Sequence, residues 1–157
     1  MYFANLAGPI ALVVMTAIMF LLVPWERIQR YLPAASVFGV GLGTATYYIL
    51  QNIVRAWHFQ NADLFSLAGI PLFMILAWIP YTIIYFHLLA QYRTLIHVAL
   101  LILFSAAVPS FFHFLLGING MVIFNKWAWW DNFFYALAVY NTLAIFIFHR
   151  FKLATEV

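Results

Sequence analysis

Residues 67–116, LAGIPLFMILAWIPYTIIYFHLLAQYRTLIHVALLILFSAAVPSFFHFLL, contain a single charged residue, Arg93. One crossing of a lipid bilayer takes about 20 apolar residues in helical form, so this stretch is long enough for two crossings. The polar link at residues 91–94 divides it into two apolar segments and predicts a tight helical hairpin. The stretch therefore predicts a helical membrane protein.

The rest of the chain has the same character. Hydrophobic residues are 68% of the 157 and charged residues only 7%, whereas about a quarter of a soluble domain is charged. We therefore predict an all-α integral membrane protein, a bundle of five transmembrane helices that forms a single transmembrane domain over residues 1–157. The predicted helices cover about residues 4–24, 34–55, 67–90, 94–116 and 128–150.

Lysine and arginine counts predict the orientation of this bundle. One side receives five basic residues, which are Arg27, Arg30, Arg93, Arg150 and Lys152, and the other side receives two, Arg55 and Lys126. Basic residues are enriched in cytoplasmic links. We therefore predict a multi-pass protein of the cytoplasmic membrane, with the N-terminus outside and the C-terminus in the cytoplasm. The links at residues 56–66 and 117–127 would then lie outside.

Several functional classes are disfavoured by what the chain lacks. The chain has no cysteine, so disulfides, thiolate catalysis and cysteine-held metal sites are excluded. The basic residues lie at predicted helix ends, a pattern of membrane anchoring rather than of nucleic-acid binding. No Gly-x-Ser-x-Gly or His-Glu-x-x-His motif occurs in the sequence. The sequence therefore favours a protein that is not an enzyme and has no nucleic-acid partner.

Three ionisable residues are predicted near the outer leaflet: Arg55 ends one helix, and His113 and Asp131 lie about one turn inside two others. Ionisable groups inside a membrane are costly and by default mark functional sites. With Trp127 and Trp130 these residues would form an outer ligand-binding pocket. The alternative is an interfacial salt bridge that only fixes helix ends.

Three histidines are predicted at one depth near the cytoplasmic side: His87 and His97 flank the tight hairpin, and His149 lies near the end of the last helix. Neutral imidazole is a good ligand for metals and for haem iron. This inner polar cluster could therefore hold a metal ion or haem b. The alternative is that the imidazoles hydrogen-bond to water or to the backbone.

Small residues recur every four positions in the predicted helix 34–55, at Ala35, Gly39 and Gly43. Such spacing lets two helices approach closely. The contact would lie within one molecule, or would join two copies in a homo-oligomer. A third reading is room for a flat ligand against the bare backbone.

Three neutral polar residues are predicted deep in the helices, namely Gln51, Asn52 and Asn141. They would form hydrogen bonds between helices, or would line a small polar cavity. The tyrosines that would share such a cavity are Tyr47, Tyr48 and Tyr140.

Prolines interrupt two of the predicted helices. Pro71 falls in the first turn of the predicted helix 67–90, Pro80 near its centre, and Pro109 within the predicted helix 94–116. A proline inside a helix removes one backbone hydrogen bond and bends the helix. We therefore expect kinks at the two central prolines.

Two segments carry a resemblance to a known family. One is WERIQRYLP at residues 25–33, and the other is NKWAWWDNFFY at residues 125–135, followed by Phe148, His149 and Arg150. Their order and spacing resemble an uncharacterised family of small five-helix membrane proteins of endospore-forming Firmicutes. The resemblance implies five spans and a cytoplasmic-membrane setting, and it implies no activity.

These patterns favour an accessory subunit, or a small module that binds or transports a small molecule or lipid. Its partners would be membrane lipids, and other membrane subunits or a second copy through the predicted helix 34–55. One alternative is a b-type cytochrome that interacts with quinone, with haem between His87 and His97. Another is a membrane enzyme acting on a lipid or isoprenoid, with His113 or Asp131 as acid or base.

Overall fold

The structure, a computed structural model, describes residues 4–150; Lys152, which entered the predicted orientation, lies outside this range. The fold is helical, with four short strands. The helical elements are a 3-10 turn at Ala4–Leu6, α1 at Ala7–Leu22, α2 at Trp25–Ser36, a π-helical segment at Val37–Leu42, α3 at Gly43–Tyr48, a second π-helical segment at Ile49–Ile53, α4 at Leu72–Leu76, α5 at Trp78–Gln91, α6 at Leu95–Ile118 and α7 at Trp129–Arg150. The strands are β1 at Trp57–Phe59, β2 at Ser66–Leu67, β3 at Ile70–Pro71 and β4 at Val122–Phe124.

Three helices within residues 4–150 are long and apolar enough to cross a membrane: Leu72–Gln91, Leu95–Ile118 and Trp129–Arg150. They match the last three predicted helices to within five residues at each end. Helix α1 is apolar but has only 16 residues. The predicted helical fold is confirmed, and its three long apolar helices are compatible with a membrane protein.

The second predicted helix begins earlier than expected. Elements α2, π, α3 and π follow one another without interruption from residue 25 to residue 53, and we call this run the long helix. The predicted start at residue 34 was wrong because the first turns of the long helix are amphipathic rather than apolar. Glu26 and Arg30 lie on the surface there, while Ile28 and Tyr31 are buried.

The third predicted helix begins later than expected. Residues 66–71 form a hairpin of β2 and β3, so the predicted start at residue 67 was wrong. Ala68 and Gly69, with φ of 52° and 77°, supply the positive φ values that a two-residue hairpin turn requires. Pro71 precedes the first turn of α4 instead of lying in it.

The third helix is interrupted at Ala77, one turn before Pro80, where the sequence predicts a kink. The ring nitrogen of Pro80 has no hydrogen for the carbonyl of Leu76, and α4 ends at Leu76 while α5 begins at Trp78. Pro109 lies inside α6, which continues through it from Leu95 to Ile118.

The two links that were predicted on the outer side pair with each other. Strand β1 is antiparallel to β4, with Trp57 opposite Phe124 and Phe59 opposite Val122. The all-α prediction therefore missed two small strand pairs, because runs of only two or three residues leave no periodic signal. The β1–β4 pair places residues 57–59 and 122–124 on the same side of the bundle.

The long helix crosses close to α5 at Gly39. A Cβ at this position would lie 3.0 Å from the backbone nitrogen of Ile79 and 3.0 Å from the carbonyl carbon of Trp78. Only a glycine allows this approach without displacing backbone. In contrast, a Cβ at Gly41 would meet nothing within 4 Å.

Candidate functional site

A buried histidine lies at the centre of the most polar part of the interior. His113, on α6, has only 7% of its surface exposed. Its Nδ1 lies 3.3 Å from the Nδ2 atom of Asn132 on α7. Its Nε2 lies 3.4 Å from the Tyr47 hydroxyl oxygen on α3. The histidine therefore connects the long helix to α7.

Two indoles complete this network, and we call the five residues the polar chain. The Trp57 indole nitrogen, on β1, donates to the Asn132 side-chain oxygen at 3.1 Å. The Trp78 indole nitrogen, at the start of α5, donates to the Tyr47 hydroxyl at 3.2 Å. The polar chain therefore runs Trp57, Asn132, His113, Tyr47, Trp78 and joins five elements.

The two indoles fix the direction of every hydrogen bond in the polar chain. An indole N–H only donates, so Asn132 must present its oxygen to Trp57 and its NH2 group to His113. His113 Nδ1 is then an acceptor, and in the neutral imidazole the hydrogen resides on Nε2. This Nε2–H donates to the Tyr47 oxygen.

Aromatic rings surround His113. Its ring centroid lies 5.9 Å from that of Tyr47, 5.5 Å from that of Trp57 and 5.8 Å from that of Phe59. Strand β1 supplies two of these rings, so the pairing of the links positions part of the site. The rings keep the polar chain away from the surface. In this interior position its hydrogen bonds are electrostatically stronger than they would be in water.

A cavity of about 80 Å³ lies between the long helix, α6 and α7, and we call it the inner cavity. Many of its lining side chains carry a polar atom, and these are Thr46, Tyr47, Trp57, Trp78, Thr82, Ser110, His113, Asn132, Tyr135 and Tyr140. Thr46 and Tyr135 share a hydrogen bond of 2.8 Å across it. Its exposed lining is mostly apolar, but these polar atoms and its size suit a few water molecules or the polar end of a ligand.

A larger space of about 330 Å³ lies between α1, α5 and α6, and we call it the lateral groove. Its walls are apolar apart from His113 and the polar atoms of the tyrosines and the tryptophan. They include Ala11 and Met15 of α1 and Phe112 of α6. The groove opens at the protein surface, where Ile10 is 53% and Val14 45% exposed.

Four residues line both spaces: Tyr47, Trp78, Pro109 and His113. Three of them belong to the polar chain. They form a common wall between the lateral groove and the inner cavity. This arrangement can hold an apolar body in the groove and a polar group at the wall.

The three ionisable residues of the predicted outer pocket have separate surroundings in the structure. His113 bonds to Tyr47 and Asn132, and not to Asp131 or Arg55. The Asp131 carboxylate accepts the Ala128 backbone N–H at 2.7 Å, which caps the start of α7. Arg55 lies on the surface with a φ of 57°, directly after the long helix.

The two tryptophans of the predicted outer pocket differ in their surroundings, and only Trp127 packs against the buried cluster that contains Tyr47 and Trp57. Trp127 is half-buried, and its ring lies 6.2 Å from Tyr135, which lines the inner cavity. Trp130 is exposed and packs edge-on against Trp129 at 5.8 Å.

The three histidines of the predicted inner cluster have different surroundings. His87 is buried, and the Nη1 atom of Arg27 lies 3.2 Å from its Nδ1. His97 is on the surface, hydrogen-bonded to Thr94 and stacked on another ring of the hairpin. His149 is on the surface near the end of α7. Residues 4–150 contain no group of three or more His, Cys, Asp or Glu that could hold a metal ion.

The predicted small residues of the long helix and the three predicted deep polar residues also have definite places. Ala35 is fully buried, Gly39 contacts the α5 backbone, and Gly43 faces the Trp78 indole, with 3.5 Å from its Cβ position to the ring. Both glycines line the inner cavity. The Gln51 side-chain oxygen accepts the Phe59 backbone N–H at 3.3 Å. Asn52 and Asn141 lie on the surface.

Sequence reasoning missed Asn132, and with it the function of Trp57. Asp131 was singled out from the sequence rather than its neighbour Asn132. The Asn132 amide is buried, whereas the Asp131 carboxylate only caps its helix. Trp57 lies in a link between two predicted helices, which gives no sign that its side chain is buried, with 1% of its surface exposed. The signal that could have found Asn132 is its place one turn inside an apolar helix, where a lipid-facing amide is costly.

No protein family, curated protein or solved structure matches this chain. The chemistry of the site is therefore the basis on which function is inferred.

Proposed function

We propose that this protein is a five-helix integral membrane protein of the cytoplasmic membrane that binds a small, largely apolar ligand drawn from the lipid phase. The observation that carries the proposal is the wall shared by the lateral groove and the inner cavity. Lipid chains can enter the groove from the side because Ile10 and Val14, which line it, are exposed on α1. A polar group on the same ligand would then meet Tyr47 and His113.

Helix lengths support five crossings. Helix α1 has 16 residues, about 24 Å, and the 3-10 turn before it adds about 6 Å, close to the 30 Å of a bilayer core. The long helix has 29 residues, about 43 Å, enough for one crossing plus an amphipathic start at the interface. The surface of α1 carries apolar side chains such as Val13 and Leu21, 68% and 83% exposed, as a lipid-facing helix requires.

The β1–β4 pair supports the proposed arrangement of the links. Residues 57–59 and 122–124 lie side by side, so the chain between them crosses the membrane an even number of times. The two helices Leu72–Gln91 and Leu95–Ile118 supply those crossings. Together with the positive-inside rule, this supports the proposal that both links lie outside.

The orientation is testable directly, because the chain contains no cysteine. Single cysteines at Gln60 and Asn119, both on the surface, are expected to react with a membrane-impermeant maleimide in intact cells. Matched cysteines at Glu26 and Gln91, also on the surface, are expected to react only after permeabilisation. Labelling of Glu26→Cys in intact cells would contradict five crossings in this orientation.

Ligand binding in the groove is tested by filling it. Ala11 lines the groove, whereas Ala17 lies on the surface of the same helix. We expect Ala11→Trp to remove the lipid-phase molecules that co-purify with the protein, as counted by mass spectrometry, and Ala17→Trp to retain them. Equal retention by both variants would refute binding in the groove.

The other readings stay predictions. For a b-type cytochrome, His87 would have to exchange its contact with Arg27 for iron, and His97 would have to turn in from the surface. A lipid-directed enzyme, an accessory subunit, a homo-oligomer through the long helix and kinship with the Firmicute family are likewise predictions that further work can test.

A further inference from the structure

We propose that the ligand of the lateral groove presents a neutral hydrogen-bond acceptor of the carbonyl type to the Tyr47 hydroxyl. This inference rests on the proposed function and names the chemical class of the ligand. It follows from the directions of the hydrogen bonds in the polar chain, and it excludes ligands whose polar group only donates.

The Tyr47 oxygen already receives two hydrogens. One comes from the Trp78 indole at 3.2 Å, and the other from His113 Nε2 at 3.4 Å. A hydroxyl oxygen has two lone pairs, and both are directed at these donors. The oxygen is therefore saturated as an acceptor.

The hydroxyl hydrogen of Tyr47 remains to be donated. Among residues 4–150, both hydrogen-bond partners of this oxygen are N–H groups, so neither can accept that hydrogen. The oxygen lies between Trp78 and His113, and both of these line the groove and the inner cavity. The hydrogen is thus available at the wall that the two spaces share.

The hydrogen bonds of the polar chain cannot all reverse their donor–acceptor direction, because Trp57 fixes the direction at one end. If His113 carried its hydrogen on Nδ1, that hydrogen would face the NH2 group of Asn132. If Asn132 were turned over, its NH2 group would face the Trp57 indole N–H. Both arrangements bring two donors together, so the donor-only indole of Trp57 dictates what Tyr47 offers.

The lining of the lateral groove and of the common wall further restricts the chemical class of the ligand. The groove is apolar and suits an alkyl or isoprenoid body, while the wall offers one neutral donor. An anion or a cation would enter without a counter-charge, since the residues of the wall are Tyr47, Trp78, Pro109 and His113, and an unpaired charge in an apolar site is costly. A ketone, quinone or ester carbonyl satisfies the donor without bringing charge.

The test compares two probes of equal length on the full-length protein in detergent micelles. The probes are a terminally brominated dodecyl methyl ketone and the brominated alkane of the same chain length, and binding is read from bromine quenching of indole fluorescence. We expect the wild type to bind the ketone about threefold to tenfold more tightly, the net effect of one hydrogen bond. Tyr47→Phe should bind both probes equally. Tyr135→Phe, which alters a cavity-lining hydroxyl already bonded to Thr46, should keep the preference.

An infrared measurement covers the case in which Tyr47→Phe does not fold. The carbonyl stretch of a ¹³C-labelled ketone bound to the wild type should lie at lower frequency than in alkane solvent, because a hydrogen bond weakens the carbonyl bond. Equal affinity for both probes and an unshifted band would overturn the donor assignment, with the Tyr47 hydroxyl then bonded to water, and would leave groove binding intact. Failure of both probes to bind would instead refute the proposed function itself.

Discussion

His113 and His87 are both buried histidines in apolar helices, 7% and 6% exposed, yet their surroundings differ. His113 adjoins two cavities and forms hydrogen bonds to neutral side chains. His87 adjoins Arg27 and sits beside a solid core in which Phe86, Leu89 and Ile147 have no exposed surface. Under the proposed function, burial alone does not make a histidine part of a binding site. An adjoining space that a ligand can occupy is also required.

The largest expected effect concerns the solid core around His87. Phe86→Ala removes a ring with no exposed surface, and we expect a loss of about 3 kcal/mol in the free energy of unfolding. Phe112→Ala, in the wall of the lateral groove, should cost clearly less because the ring is only half-buried and already borders empty space. Unfolding titrations with SDS in mixed micelles measure both. Equal losses of unfolding free energy in the two variants would contradict the difference between the densely packed core around His87 and the region that borders the lateral groove.

The next effect concerns the close crossing of the long helix over α5. Gly39→Ala places a Cβ 3.0 Å from backbone atoms of Trp78 and Ile79, which cannot yield as a side chain can. We expect a loss of about 1–3 kcal/mol in the same titration. Gly41→Ala is the matched control, since the added Cβ meets nothing within 4 Å. This variant should leave the free energy of unfolding unchanged or increase it by up to about 1 kcal/mol.

Breaking the polar chain should cost a similar or smaller amount. Asn132→Leu leaves the Trp57 indole N–H and His113 Nδ1 without their partner, and an unsatisfied buried polar group costs about 1–3 kcal/mol. Asn141→Leu changes the same residue type on the surface of the same helix and should leave stability unchanged. A stable Asn132→Leu protein that also keeps the preference for the ketone probe would contradict the chain's directing function.

The smallest effect is expected at the other end of the molecule. Arg27 lies on the surface although it contacts buried His87. Arg27→Gln should therefore shift the free energy of unfolding by less than about 0.5 kcal/mol and leave the binding of both probes unchanged. A change in probe binding would show that the two regions are coupled.

The sequence predicts the last three helices well and the earlier part of the chain less well. Helices α6 and α7 were predicted to within two residues because long apolar runs between polar links define their ends. The start of the long helix was missed because its first turns, with Glu26 and Arg30, have the composition of a surface link. The hairpin at residues 66–71 was missed because two-residue strands carry no periodicity.

The site could be predicted only in part. His113 was singled out because an imidazole in an apolar helix is rare, and Tyr47 appeared among the residues of a possible polar cavity. Their contact could not be predicted, because a helix that is apolar on nearly every face gives no sign of its rotation about its own axis. Asp131, which was predicted to share a pocket with His113, instead caps α7, and the neighbouring Asn132 contacts the histidine.

The pairing of β1 with β4 has a consequence for biogenesis. During synthesis, the residues of β1 leave the ribosome long before those of β4, and Asn132 follows Trp57 by 75 residues. The Trp57 indole therefore has no strand and no amide to bind until the hairpin of α4, α5 and α6 has been made and α7 has begun. The helices can form one after another, but the polar chain is completed only when α7 brings Asn132. A chain truncated before α7 would thus contain every residue that lines the lateral groove but not the complete polar chain.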